Sequence, residues 1–119
     1  MDWLSKNKQY ELRSKERNLS IIGNKIRLAI LYLLSENKDK MNFNEIARHL
    51  GVENNKLAYH IALLKKGQFV ENEMRFNDKE GKSFSFYGLS EKGKKIIGLI
   101  EEMTTDLEET EKKLNDILK

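Results

Sequence analysis

The chain of 119 residues contains no cysteine and only two histidines. Without cysteine it can form neither a disulfide framework nor a thiolate metal site. It also lacks any run of about eighteen apolar residues, the length that a membrane-spanning helix requires. Its first residues, MDWLSKNKQYEL, do not contain the apolar region of a signal peptide. These absences predict a cytoplasmic protein that contacts no membrane and that cysteine oxidation does not regulate.

The sequence shows no catalytic constellation either. His49 and His60 are not spaced as a metal-binding pair, and there is no Ser-His-Asp arrangement and no phosphate-binding loop. We therefore predict that the chain is not an enzyme and that it carries no catalytic residue, no metal and no cofactor. We interpret His60 as a helix residue that packs beside a turn or lies near a phosphate. Metal ligation by His49 and His60 is the alternative.

Charge is distributed unevenly along the chain, although the net charge is only +3. Residues 1–19 carry five basic and three acidic side chains, residues 20–100 carry fourteen and nine, and residues 101–119 carry three and seven, which gives +2, +5 and −4. A basic body suits contact with phosphates, whereas DNA would repel an acidic tail, which should point away from it. The tail charges alone fit a solvated helix face equally well.

The segment Asn42–Val70, NFNEIARHLGVENNKLAYHIALLKKGQFV, has the order of signals that is typical of a helix-turn-helix followed by a strand. Asn42 and Glu45 have the spacing of a capping box at the start of a short helix. Gly51 supplies a residue that tolerates positive φ where this helix ends. The apolar face of the helix is formed by Ile46, Ala47 and Leu50.

The second helix of this pair has an apolar stripe and a polar outer face. Leu57, Ile61 and Leu64 share one side of the helix, and polar side chains occupy the other. A polar, hydrogen-bonding helix face is what the major groove of DNA admits. Asn55 is the predicted base reader because an amide can bond adenine at two points. The DNA-binding residues predicted on this recognition helix are Asn54, Asn55, Lys56, Tyr59 and Lys66.

Two strand-like runs, Phe69–Phe76 and Lys82–Leu89, flank a loop that ends at Gly81. Gly81 can adopt the left-handed conformation that such a loop needs, so the runs predict a β-hairpin wing. Basic side chains on a wing are attracted by the negative potential of the minor groove. Two acidic residues at the same tip oppose that attraction. The predicted wing contacts, with the minor groove or the backbone, are Arg75, Lys79 and Lys82.

Alternation along the second strand predicts which of its side chains face the core. Tyr87 and Leu89 are expected to point inward, which turns Phe84 and Phe86 to the opposite face. Two outward phenylalanines need cover. We expect the N-terminal or the C-terminal helix to supply it, from this chain or from a second subunit.

Three stretches, EIARHLGV, LAYHIALLKKGQFV and YGLSEKG at Tyr87–Gly93, together resemble the winged helix-turn-helix regulators of the arsenic-repressor-like (ArsR) type. The resemblance covers roughly residues 22–100, and its motifs specify a superfamily rather than one protein. His60 and Ile61 match a His-Leu pair of the family's recognition helix, and Leu64 and Val70 match its next Leu and the Val of a Gly-Leu-Val motif. The resemblance implies a winged helix that binds duplex DNA.

This sequence departs from the ArsR pattern at two positions. The glycine of the Gly-Leu-Val motif is replaced by Gln68, with Gly67 one place early, so the exit from the recognition helix is expected to differ. A serine often found two residues before the family's histidine is Ala58 here, which removes one phosphate or base contact. The absence of cysteine also excludes the thiolate sensor of arsenic-repressor relatives.

The last part of the chain, from Ser90 onward, is expected to be one long helix. Its apolar residues follow alternating steps of four and three, interrupted only at Thr110, which is the pattern of a short coiled-coil seam. About 28 residues would extend about 42 Å, too long to bury on a small domain, so we predict a homodimer. A helix folded back on its own N-terminal arm is the alternative. The predicted dimerisation residues are Ile96, Ile100, Met103, Leu107, Leu114 and Ile117.

Two helices are predicted before the recognition unit. Residues 2–18 form a helical arm, either a basic arm on DNA or a helix that packs Trp3 and Tyr10 on a neighbouring subunit. Asn24 then caps a scaffold helix, in which Arg27 and Tyr32 lie off the apolar stripe and are expected at the surface. That stripe consists of Ile26, Ala29, Ile30, Leu33 and Leu34.

The sequence thus predicts a mainly α fold with a small β-hairpin wing, an α+β winged helix-turn-helix that ends in a long coiled-coil helix. Its divisions are a helical arm at 1–20, a DNA-binding domain at 21–90 and a dimerisation helix at 91–119. The predicted function is a homodimeric regulator of transcription, archaeal or bacterial, that binds specific sequences of double-stranded DNA. A winged helix used for protein interaction is the alternative. No feature of the sequence identifies a small-molecule effector.

Overall fold

The structure, a computed structural model, describes residues 3–118. Residues 1–2, at the start of the predicted arm, and residue 119, at the end of the predicted dimerisation helix, lie outside the described residues. The fold confirms the predicted class, a winged helix-turn-helix with a long C-terminal helix. The elements of the described chain are α1 (Lys6–Ile22), α2 (Lys25–Glu36), β1 (Met41–Asn42), α3 (Phe43–Leu50), α4 (Asn54–Lys66), β2 (Val70–Asn77), β3 (Lys82–Leu89) and α5 (Glu91–Leu118).

The predicted helix starts are confirmed by their hydrogen bonds. The Asn24 side chain accepts from the backbone N–H groups of Ile26 and Arg27 at 3.0 and 3.1 Å. Asn42 and Glu45 form a reciprocal capping box at the start of α3. Gly51 ends α3 with a φ of 63°, the left-handed conformation that glycine adopts without steric cost. These local signals fix the turn between the two helices of the helix-turn-helix.

Helix α2 lies at the centre of the core and is buried on a wider face than predicted. Ile30 and Leu31 are fully buried, although Leu31 lies outside the predicted stripe. The reason is that α2 contacts α1, α3, α4, α5 and β3, so more than one side of it is covered. Tyr32 is half-buried rather than at the surface, and burial together with the neighbouring Glu101 of α5 raises its pKa.

The sheet has three antiparallel strands in the order β1-β3-β2, whereas the sequence predicted only the two long ones. Strand β1 pairs Met41 with Tyr87 and Asn42 with Phe86. Two residues are too few for alternation to be visible in a sequence. Their effect is large nonetheless, because Met41 is buried in the core and β1 attaches the start of α3 to the base of the wing.

The two faces of β3 differ as predicted, and a residue of β2 covers one ring of the outward face. Tyr87 and Leu89 pack against the core, and Phe84 and Phe86 lie half-buried on the opposite face. The guanidinium carbon of Arg75 lies 4.4 Å from the centre of the Phe86 ring. A strand residue therefore covers an aromatic ring for which we expected a terminal helix.

The two terminal helices are each packed over only part of their length. Ile21 and Ile22 at the end of α1 are buried in the core, so the predicted boundary at residues 20–21 lies inside a continuous helix. In α5, Ile96 and Ile97 pack against the core, whereas Leu107 and Leu114 are exposed. The distal half of α5 thus presents apolar side chains that nothing in the described chain covers.

Candidate nucleic-acid interface

Helix α4 separates its polar and apolar side chains onto two sides, as the sequence predicted. Leu57, Ile61 and Leu64 are buried, and His60 is buried beside them. Among the outward side chains, Tyr59 is 61% exposed, with its ring edge-on to the imidazole of His60 at 5.2 Å. All five residues that were predicted on this helix are exposed, namely Asn54, Asn55, Lys56, Tyr59 and Lys66.

The start of α4 has no side-chain cap. Its N-cap residue is Glu53, which makes no capping hydrogen bond, in contrast to the capping box of α3. The first backbone N–H groups of a helix have no partner within the helix, and they carry the positive end of its dipole. Asn54, Asn55 and Lys56 surround these groups and are all exposed. This end of α4 combines hydrogen-bond donors with a lysine, an arrangement that suits phosphate contact.

The buried side of α4 is attached to α2 and α1 through Arg27 and His60. The Arg27 guanidinium donates from Nη1 to His60 Nδ1 at 2.9 Å and from Nε to the Ile21 carbonyl at 2.6 Å. Nδ1 therefore acts as the acceptor, and Nε2 carries the proton of the neutral imidazole. The expectation that Arg27 lies at the surface is wrong, because the residue is half-buried and joins three helices.

The environment of His60 favours the neutral imidazole. Burial lowers the pKa of His60, and the positive charges of Arg27 and Lys56 lower it further. Protonation would remove the acceptor of the Arg27 hydrogen bond and place a second cation beside the guanidinium. His49 lies apart from this network on the surface of α3, where its Nδ1 donates to the Glu45 carbonyl at 2.8 Å. Within residues 3–118, no group of three or more His, Asp or Glu side chains could hold a metal ion.

The exit from α4 has a residue other than glycine in the left-handed conformation. Gln68 adopts a φ of 65°, and Gln68 N–H and Phe69 N–H donate to the carbonyls of Lys65 and Leu64 at 2.9 and 3.0 Å. These bonds form the helix-ending motif that usually has glycine in the left-handed position. Gly67 serves packing instead, because a Cβ there would approach Ile21 and Phe69 side-chain atoms to 2.9 Å.

The start of α5 is bonded directly to this exit. Ser90 Oγ donates to the Gln68 carbonyl at 2.6 Å and accepts from Gly93 N–H at 3.0 Å. Lys92 Nζ donates to the Gly67 carbonyl at 2.7 Å and to Asn18 Oδ1 of α1 at 2.8 Å, and it lies 4.4 Å from the centre of the Phe69 ring. We call these contacts the α4–α5 junction. The SEKG motif was visible in the sequence, but its bonds to the C-terminal end of α4 were not.

The three cations predicted on the wing are in different situations. The Arg75 guanidinium is bonded to Asp39 at 3.2 Å and to Glu73 at 2.9 Å, and the hydrogen bond from Arg75 lowers the pKa of Asp39. Lys79 and Lys82 lie at the exposed tip and have no acidic partner within 4.0 Å among the described residues. Arg75 thus attaches the wing to the segment before β1, and the two lysines remain available for an external anion.

A groove of about 460 Å³ separates α4 from the sheet. Tyr87 of β3 lines one side of it, and Lys66, one of the predicted DNA contacts, lines the other. Lys65 also lines the groove and was missed by the sequence analysis, although its position in the last turn of α4 is a visible signal. The lining residues are Phe43, Ala58, Ile61, Ala62, Lys65, Lys66 and Tyr87.

Solved structures of other proteins share this fold, and three of them span a range of sequence identity. NolR from Sinorhizobium fredii matches with a TM-score of 0.69 at 27% identity over 87% of this chain and 96% of NolR. The homodimeric winged helix-turn-helix DNA-binding domain of Mb0332 from Mycobacterium bovis, a possible ArsR-family transcriptional regulator, matches with a TM-score of 0.69 at 22% identity over 89% of this chain and 92% of that one. MepR from S. aureus, in its complex with DNA, matches with a TM-score of 0.67 at 16% identity over 98% of this chain and 94% of MepR. The fold therefore places this chain among winged helix-turn-helix proteins.

The sequence also identifies a family within that class. The family model described as a domain of unknown function, DUF7347, matches residues 15–100, so the chain belongs to this family. The matched region begins within α1 and ends within α5, and it includes the recognition helix, the wing and the α4–α5 junction. No curated protein matches the sequence. Within residues 3–118, no helix is both long and apolar enough to cross a membrane.

Proposed function

We propose that this chain is a transcription regulator that binds specific sequences of double-stranded DNA as a homodimer. The observation that carries the proposal is the exposed polar face of α4. Asn55, Lys56 and Tyr59 project from a helix whose opposite side is buried, and such a helix fits the major groove. The fold that the chain shares with DNA-bound MepR supports DNA binding.

Individual residues are assigned roles by their chemistry. Asn55 reads a base, since its amide can donate and accept at the edge of adenine, and Tyr59 contacts a phosphate or a thymine methyl group. Lys66 reaches a phosphate from the groove between α4 and the sheet. Lys79 and Lys82 hold the wing to the backbone or the minor groove, whereas Arg75 contributes by keeping the wing in place.

The proposed dimer uses the exposed seam of α5. Met103 is 67% exposed, Leu107 59% and Ile117 79%, although each lies at a core position of the heptad pattern. Pairing these side chains in a short coiled coil would remove them from water. Two recognition helices would then read half-sites about one helical turn apart. We also propose that the two subunits pair as in regulators of the ArsR type.

The dimer is tested by sedimentation of the full chain. Leu107→Glu is expected to convert a dimer into a monomer, because a carboxylate in a coiled-coil seam would be buried without a partner. The matched control is Glu108→Gln, a change at the neighbouring exposed position outside the seam, which should leave the dimer intact. A wild-type chain that sediments as a monomer at micromolar concentration would contradict the dimer.

DNA binding is tested by fluorescence anisotropy with labelled duplexes, the matched single strands and RNA. A duplex enriched from a random library is expected to bind tightly in the presence of competitor DNA, and its affinity should fall steeply with salt. Equal binding of duplex, single strand and RNA at low salt would contradict a duplex-specific regulator.

Two substitutions separate base reading from backbone contact. Asn55→Ala should relax the preference at one base pair, at a cost of about 1 to 3 kcal/mol, while Lys79→Ala should weaken all sequences alike and reduce the salt dependence. An Asn55→Ala protein with unchanged affinity and preference would refute the assignment of Asn55.

The alternative function, a winged helix for protein interaction, depended on two outward phenylalanines and on the coiled coil. In the structure Phe84 and Phe86 are half-buried, and the Arg75 guanidinium lies over the Phe86 ring. This surface is therefore less available than the sequence suggested. A chain that forms dimers but shows no duplex preference at low salt would favour this alternative over the regulator.

A further inference from the structure

Two large apolar side chains near the end of the wing have no cover among the described residues. Met74 is 59% exposed and Phe76 is 64% exposed, and both lie on β2, the edge strand of the sheet. Phe76 is the last residue but one of β2, beside the tip. At the edge of the strand it also borders a hollow of about 500 Å³ that Arg75, Phe84 and Phe86 of the opposite face line. Exposed aromatic side chains on a two-stranded ribbon lower solubility unless a partner contacts them.

The strand register shows which way these side chains point. Met74 pairs with Ser85 and Phe76 pairs with Ser83, and Ser85 Oγ donates to Met74 Sδ at 3.0 Å. Because side chains on one face of a sheet recur every second residue, Met74 and Phe76 share the face of Tyr87. Tyr87 borders the groove beside α4. The apolar end of the wing therefore extends the surface that faces the recognition helix.

Charge is segregated between the two faces of β2. Its acidic residues, Glu71 and Glu73, lie on the other face. Each of these carboxylates lies 3.9 Å from Lys40 Nζ, and Glu73 also pairs with Arg75 at 2.9 Å. The face of Met74 and Phe76 carries only uncharged neighbours, which are Asn72, Ser83 and Ser85. Across the groove are Lys65 and Lys66, and beyond the strand is the tip, where Lys79 lies between Asp78 and Glu80.

We propose that Phe76, supported by Met74, contacts the minor groove of duplex DNA as an apolar wedge. This inference depends on the proposed function and specifies how the wing takes part in it. An uncharged apolar surface between lysines matches the minor groove, whose sugar walls and base edges are uncharged and lie between two rows of phosphates. Apolar side chains that enter the minor groove partly unstack a base step and bend the duplex. The surface is continuous with the face of α4 that is proposed to bind DNA.

The test compares variants of the full chain on a duplex selected with the wild-type protein. Phe76→Ala should weaken binding about tenfold because apolar burial is lost, and Phe76→Leu should weaken it less. The salt dependence of both should stay as in the wild type, since no phosphate contact is removed. Lys79→Ala is the matched comparison, because it should reduce the salt dependence. The thermal midpoint of Phe76→Ala should not change, since the side chain is exposed in the free protein.

A second measurement addresses the groove itself. Netropsin bound in the minor groove should weaken the wild-type protein on that duplex, yet weaken Phe76→Ala much less, because the variant has already lost the contact. Energy transfer between dyes at the two duplex ends should report a bend with the wild type and a smaller one with Phe76→Ala.

These measurements distinguish a failure of the proposed function from a failure of the proposed Phe76 contact. A wild-type chain that selects no duplex would refute the proposed function and this inference together. If Asn55→Ala loses base preference while Phe76→Ala binds as tightly as the wild type, the regulator stands and the wedge is refuted. A loss with Phe76→Ala that netropsin deepens as much as in the wild type would also refute the minor-groove placement.

Discussion

The recognition helix and the wing are held by different kinds of contact. On its buried side α4 is bonded to α1 and α2 through Arg27 and His60, and its C-terminal end is fixed by the α4–α5 junction. The wing is an antiparallel hairpin, and beyond its base it is attached by the ion pairs of Arg75 and Lys40, which are largely exposed. Helix α4 is thus held by its buried apolar side and by part-buried hydrogen bonds of Arg27, whereas the wing is attached by exposed ion pairs.

This difference bears on how each element is expected to meet DNA. Hydrogen bonds to buried groups are costly to break, whereas exposed ion pairs contribute little and are screened by salt. A fixed helix suits the exact geometry of base-edge hydrogen bonds, and a weakly attached hairpin can follow variation in groove width. The following substitutions test the contrast, from the largest expected effect to the smallest.

Gly93→Ala, at the α4–α5 junction, is expected to have the largest effect on stability. A Cβ at this position would collide with the Phe69 carbonyl oxygen, which is backbone and cannot rotate away. We expect a loss of about 3 kcal/mol in the free energy of unfolding, measured by urea denaturation. The control is Gly98→Ala in the same helix, where a Cβ meets nothing within 4 Å and a gain of about 0.5 to 1 kcal/mol is expected. Equal midpoints for the two variants would show that the junction is not rigid.

The Arg27–His60 contact predicts a pH dependence. Because the pKa of His60 is lowered from 6.5 in the folded chain, the unfolded chain binds more protons just below pH 6.5. The stabilisation is fully present above this pH, and the free energy of unfolding should fall as the pH decreases through the interval down to the folded pKa. Urea denaturation at a series of pH values measures this slope. His60→Gln should flatten the slope; an unchanged slope in this variant would assign it to other groups.

Lys92→Met tests the polar part of the junction without adding bulk to the backbone. The variant keeps an apolar stem over Phe69 but loses the bonds to the Gly67 carbonyl and to Asn18, so about 1 kcal/mol of stability should be lost. Lys94→Met is the control, since Lys94 Nζ reaches only Glu91 in an exposed pair at 3.4 Å. The junction would be judged unimportant if denaturation did not separate the two variants.

Asp39→Asn should have the smallest effect on stability. It weakens the exposed pair that attaches Arg75 to the segment before β1, and such pairs are screened by water. The thermal midpoint should stay within the error of repeated scans. Amide hydrogen exchange of β2 and β3 should become faster near the tip and remain unchanged in α4. Faster exchange in α4 would contradict the separation of the two elements.

The features that could be predicted from the sequence depend on neighbouring residues. Asn24, Asn42 and Gly51 act on backbone groups within a few positions, so their spacing alone revealed them. The exposed face of α4 followed from helical periodicity. The features that could not be predicted depend on distant partners, as when Arg27 bonds His60, which is 33 positions away, and Lys92 bonds Asn18, which is 74 positions away.

The contacts of the wing with distant residues could not be predicted from the sequence either. The two strands and the alternation of β3 were visible, but β1 was too short to show a pattern, and the attachment of Arg75 to Asp39 spans 36 positions. For that reason Arg75 looked like a free cation in the sequence. The exposure of Phe76 was equally hidden, because a phenylalanine at that place in an alternating strand is compatible with either a covered or an open face.

The left-handed conformation of Gln68 also affects how this family is compared with others. A residue with a Cβ costs about 1 to 2 kcal/mol there, while glycine would cost about 0.5 to 1 kcal/mol in extra freedom of the unfolded chain. The two costs partly offset each other, so glycine would be favoured over glutamine at this position by only about 0.5 to 1 kcal/mol. An alignment anchored on the glycine would shift by one residue here, whereas one anchored on the buried Phe69 would stay in register.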